Sequence, residues 1–150
     1  MLPRLAAALG GAALLLAVTV DAGGAAARRL GISLPGSIEL IQPCIVAIVA
    51  SALVIATVER GHAAVHLVTA RLSPSWRSRF ERFAAALSFL VFATLFAGEA
   101  WLFAELWPAQ ERGDLLGLPI APQRALWCLS LALCAGFSLL ACFRPAAVDG

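Results

Sequence analysis

Four long apolar runs, separated by polar or glycine- and proline-rich segments, set the pattern of this chain. They cover about 5–21, 38–58, 83–106 and 124–143. Roughly 20 helical residues cross a hydrocarbon layer about 30 Å thick, and the last three runs meet that length. The first is shorter. It follows Arg4 and leads into Ala25-Ala26-Ala27, an outline shared with secretory signal peptides. A single arginine before the run and Asp21 directly behind it favour a retained span, and both readings of residues 1–20 stand at this point. Long unbroken runs exclude a β-barrel, whose strands are short and alternating. The pattern predicts an all-α integral membrane protein of four transmembrane helices, forming a single domain over 1–150.

The connections carry structure of their own. Between the second and third runs, Val65, Val68 and Leu72 recur at helical spacing, with Thr69 in the same stripe. This predicts a short amphipathic helix over about 62–72 lying on the membrane surface. Ser73-Pro74 then supplies an N-cap and a proline suited to a first helical position. Trp76 falls at headgroup level there, with Arg77, Arg79 and Arg82 directed at lipid phosphates. The opposite connection holds Pro108, Gly113, Gly117, Pro119 and Pro122 and reads as an ordered turn before the fourth span. Trp101, Trp107 and Trp127 gather near that second interface, as an aromatic belt does.

Composition strengthens this picture. Apolar residues make up 61% of the 150 residues and charged ones only 13%, against roughly half and a quarter in soluble domains. Mean hydropathy is +0.90. A net charge of +2 is too small and scattered for a nucleic-acid footprint. The arginines are asymmetric: Arg4, Arg60, Arg71, Arg77, Arg79, Arg82 and Arg144 fall on one side, and Arg28, Arg29, Arg112 and Arg124 on the other. The richer side is expected in the cytoplasm, with both termini there. Cys44, Cys128, Cys134 and Cys142 lie in apolar stretches without metal-ligand spacing and read as small hydrophobes.

Few residues offer chemistry. Glu99 lies late in the third span, where a carboxylate is costly. It reads either as an ion-coupling group or as a structural partner of Arg124 or of another subunit. Glu39 opens the second span, where an acid faces the positive end of the helix dipole or a polar partner. Pro43 in the same span predicts a kink that neighbours repair. His62 and His66 are four apart, but only Glu59 is a nearby further ligand, so no metal is expected. Both histidines share one segment outside the hydrocarbon, which excludes a bis-histidine haem. Ser51, Ser88, Ser130 and Ser138 have no histidine or aspartate near them in sequence, so neither an enzyme nor a cofactor is expected. Ala47/Ser51, Ala93/Ala97 and Ala132/Gly136 are small-residue pairs suited to helix contact.

Several segments carry a resemblance. They are Pro35-Gly36-x-x-Glu39, Glu59-Arg60-Gly61-His62-x-x-Val65, Arg71-Leu72, Trp101, and Leu116-Gly117-Leu118-Pro119-Ile120-x-Pro122. In this order, from Ala17 to Phe143, the chain resembles the DctQ-like small membrane subunit of tripartite ATP-independent periplasmic (TRAP) transporters. Two positions depart from the family pattern: His66 stands where an aspartate is common, and Asp21 is followed four residues on by Ala25 where an arginine is common. The resemblance implies a non-catalytic scaffold for a large permease (M) subunit in the bacterial inner membrane. Ion-gradient-driven uptake, usually with sodium, then takes an organic acid from a periplasmic binding protein. Glu39, Glu99, Arg124, Arg28, Arg29, Arg60 and His62 are the candidates for partner contact or structural polar roles. Membrane lipids are the remaining partners, and nucleic acid is not one. The alternatives are a stand-alone proton-coupled exporter using Glu99 and a membrane anchor for a redox enzyme.

Overall fold

The structure, a computed structural model, describes residues 1–32, 36–59, 74–109 and 111–143. The surface helix expected over 62–72, together with Arg60, His62 and His66, lies outside the described residues. Among the described residues there are four helices: α1 (Leu2–Arg29), α2 (Ser37–Val58), α3 (Pro74–Leu106) and α4 (Ala121–Phe143). Each is long and apolar enough to cross a membrane.

Two helices outrun their apolar stretches. α1 has 28 residues, about 42 Å at 1.5 Å per residue. It continues beyond Asp21 through an Ala- and Gly-rich stretch because alanine is the best helix former, whatever its hydropathy. Gly31, at φ 75°, stops it. The Ile32 N–H then reaches back to the Ala27 carbonyl at 2.9 Å and the Gly31 N–H to Arg28 at 3.2 Å, the pairing of a Schellman cap. α3 begins at Pro74 and runs 33 residues, about 50 Å.

α1 packs through one narrow seam. Beyond its first turn, its residues not fully exposed are Ala6, Gly10, Ala13, Ala17, Val20, Gly24 and Ala27. Their spacing alternates four and three, the 3.5-residue repeat of helices that wrap with left-handed twist. All but Val20 are Gly or Ala, so the backbones approach closely. A Cβ placed on Gly10 would lie 3.0 Å from the Ser51 Cβ, and one on Gly24 3.9 Å from the Ser37 Cβ. These two pairings fix an antiparallel register that puts Asp21 level with Leu40.

α2 turns its other face to α4, and α3 packs on α4. Among the described residues α1 contacts neither α3 nor α4, and α2 does not contact α3. The helices therefore form an open row in the order α1, α2, α4, α3. Its core is small and sits around α4, where Ser130, Leu131, Cys134, Ala135 and Ser138 are buried. Cys44, Ala50, Ser51 and Val54 supply the α2 side. All four cysteines are free. Ala97 on α3 and Gly136 on α4 are exposed, so these members of the expected small-residue pairs face out of the row. Much of the remaining aliphatic and aromatic surface is also uncovered.

Candidate functional site

The polar side chains collect where α1 and α3 end and α2 and α4 begin. There the α3–α4 connection folds back on itself. The Gly113 N–H meets the Leu118 carbonyl at 2.9 Å, and the Ile120 N–H meets Glu111 at 3.1 Å. An antiparallel bridge joins Arg112 and Pro119, and Gly117 takes φ 67° to make the turn.

This small hairpin presents a concave row of N–H groups, and Glu39 fills it. One carboxylate oxygen accepts the N–H of Leu115 at 3.0 Å and of Leu116 at 2.8 Å; the other accepts Leu118 at 3.0 Å. Successive backbone N–H groups in a turn form such an anion cradle. Here the anion belongs to the chain itself. Two glycines make room. A side chain at Gly113 would overlap the Glu39 carboxylate. Gly36 lies at φ 93° against Leu116, whose Cγ is 2.7 Å from where a Cβ would sit. Glu39 does not cap its own helix: the α2 N-cap is Gly36, with no side-chain bond. Pro43, one turn on, leaves the Glu39 carbonyl without its helical N–H partner, which loosens this turn of α2.

A second cluster joins α3, α4 and the hairpin. Arg124, in the first turn of α4, lies 3.0 Å from Glu111 and 3.8 Å from Glu99. The first contact is a hydrogen bond. The second is longer than hydrogen-bond range and acts through charge alone. The side chains of Arg124 and Glu99 are only 23% and 19% exposed, so the attraction is weakly screened. Arg124 Nε is buried without a partner among the described residues. It belongs to a recess lined by Phe103, Leu106, Trp107, Glu111, Ala121 and Arg124.

Of the other residues singled out by sequence, only Trp107 borders one of these clusters, in the recess beside Arg124. Arg28 and Arg29 are exposed in the last turn of α1, where cations suit the helix dipole. Trp101 and Trp107 are exposed, and Trp107 stacks edge-on with Phe103 at 5.2 Å. Trp127 is half-buried, its carbonyl accepting the Ser130 hydroxyl at 2.8 Å. At the opposite end of α3, Trp76 is exposed with the Arg79 guanidinium 5.8 Å from its ring centre, and Arg82 is exposed. The Arg77 side chain is outside the described residues.

Sequence reasoning missed the partners of Glu39 because they are backbone groups. The available signal was Gly113 and Gly117 in a loop on the same membrane side as Glu39. Glu111 as partner of Arg124 was also missed.

The family model for the DctQ component of the tripartite ATP-independent periplasmic transporters matches residues 14–147. No curated protein and no solved structure matches. Two of the segments that carry the resemblance, Gly36-x-x-Glu39 and Leu116-Gly117-Leu118, prove to be the two sides of one contact. With four membrane-length apolar helices and a family match over nearly its whole length, the chain belongs to the DctQ family and is a multi-pass membrane component of a TRAP transporter, its small permease.

Proposed function

We propose that the chain is a non-catalytic scaffold subunit that holds a large permease subunit steady in the inner membrane. Substrate and ion sites belong to that partner. Uptake is driven by an ion gradient, with sodium the expected ion, and takes an organic acid delivered by a periplasmic binding protein. The termini are cytoplasmic, and the hairpin end, with Arg28, Arg29, Arg112 and Asp114, faces the periplasm and the binding protein.

The observation that carries this reading is how the polar groups in the helices are used. Thr19, Thr57 and Thr94 donate to carbonyls of their own helices at 2.7–2.9 Å. Glu39 is taken up by the hairpin and Glu99 by Arg124. Such groups, turned inward on their own backbone or on each other, make no polar track across the hydrocarbon. The open row instead leaves the edge helix α1 largely uncovered, as suits a piece that is completed by a partner. Deleting this chain should abolish organic-acid uptake by the complex, and the purified chain alone in liposomes should move no solute.

The competing reading is a stand-alone proton-coupled exporter with Glu99 as the coupling group, favoured by the low exposure of that carboxylate. It requires Glu99→Gln to abolish transport. The scaffold reading requires the complex carrying Glu99→Gln to keep most of its uptake.

A further inference from the structure

We propose that the outward face of α3, at the end opposite the hairpin, is a binding track for an anionic phospholipid. α3 is an edge helix of the row. Its half-buried residues, among them Glu81, Ala85, Ser88, Phe92, Glu99, Phe103 and Leu106, share one side of the helix, and α4 is the helix that packs on it. On a helix of 3.6 residues per turn, Trp76, Arg79, Phe83, Leu87 and Leu90 fall on the opposite side, at spacings of three and four. All five are exposed.

The stripe changes chemistry along its length in the way a phospholipid does. Its head end holds the Arg79 guanidinium, which stands 5.8 Å from the Trp76 ring centre. Both side chains are exposed, so the guanidinium and the indole lie open to a ligand side by side. Arg82 flanks it, exposed. Neither guanidinium is held in an ion pair with another described residue. Two exposed guanidiniums beside an indole, at the end of α3 that leaves the apolar stretch, suit a phosphate that carries net negative charge. Below them Phe83, Leu87 and Leu90 give a continuous apolar strip two turns long for an acyl chain. A zwitterionic headgroup brings its own ammonium to the same place and neutralises this attraction, so the track discriminates by charge. Another protein could cover the same face, and the test must separate the two occupants.

The test is native mass spectrometry of the full chain in detergent, with phosphatidylglycerol or phosphatidylcholine added in equal amounts. Phosphatidylglycerol should be retained preferentially. The R79Q/R82Q double variant should weaken its retention by about thirtyfold, at roughly 1 kcal/mol per arginine near an anionic surface, and leave phosphatidylcholine unaffected. R79K/R82K, which keeps both charges, should retain most of the preference. The same measurement on the chain co-purified with its large permease should still show bound phosphatidylglycerol. Equal retention of the two lipids by the wild type overturns the proposal, even if the glutamine variant fails to fold. So does undiminished phosphatidylglycerol on a folded R79Q/R82Q, or its displacement by the permease, which would make this face a protein interface.

Discussion

The carboxylate of Glu39 accepts the backbone N–H of Leu116 at 2.8 Å across 77 positions of sequence. The contact joins the start of α2 to the connection between α3 and α4, so it locks one side of the helix row to the other at a single end. A carboxylate suits this task because it is an acceptor with two oxygens, and the hairpin offers three donors to it. Glu39→Gln should therefore loosen the hairpin, since one oxygen becomes an amide that cannot accept. Hydrogen exchange of the Leu115, Leu116 and Leu118 amides should speed up in this variant while exchange in the centre of α4 stays unchanged. Unaltered protection of those three amides would show that the cradle holds without its anion.

Gly113 and Gly36 give a second approach to the same lock. A methyl group at Gly113 would occupy the space of the Glu39 carboxylate. Gly113→Ala should then reproduce the exchange pattern of Glu39→Ala, and the double variant should be no worse than either single one. Gly36→Ala must hold an alanine at positive φ, at about 1–2 kcal/mol, and must also displace Leu116. A lower melting temperature for Gly36→Ala with the hairpin intact would locate its effect in α2 alone.

Adjacent glycines on α1 offer an internal control. Gly10 faces Ser51, whereas a Cβ on Gly11 meets nothing within 4 Å. Gly10→Leu should destabilise by about 1–3 kcal/mol, the usual cost of overfilling a tight contact, and should part α1 from α2. Gly11→Leu should change little. Thermal unfolding in detergent compares the two directly, and equal effects would contradict the seam.

Arg124 stands between two carboxylates, so its loss should exceed the loss of either. Arg124→Gln leaves Glu99 and Glu111 without their shared cation, at about 1–3 kcal/mol or more for partly buried charged groups. Glu99→Gln should cost less, because that contact is long at 3.8 Å. Combining Glu99→Gln with Arg124→Gln should recover part of the stability lost in Arg124→Gln. Thermal melts of the three variants check this order.

The spans were legible because hydropathy and length decide them together, and Pro74 marked the start of α3 through a rule of backbone chemistry. The end of α1 was not. Hydropathy drops at Asp21, but the alanines that follow sustain the helix past Gly23 and Gly24, and it runs on to the Gly31 cap. Ala6 and Gly10 stood out as small residues, yet the full seam from Ala6 to Ala27 needs a partner helix to give it meaning. The role of Glu39 was hidden most completely. Its partners are main-chain donors, which any residue supplies, so only the folded hairpin gathers them. Arg124 and Glu99 were visible as a pair across two spans, whereas Glu111 became part of their cluster only when the connection folded back.

The central claim is that this chain transports nothing alone and supports a larger permease. The most direct measurement is uptake of a radiolabelled organic acid into liposomes, with an imposed sodium gradient and binding protein outside. Three preparations are compared: this chain alone, the large permease alone, and the two together. Uptake only when both are present is the predicted result. Sodium-driven uptake by the chain alone, or full uptake by the permease without it, would contradict the account.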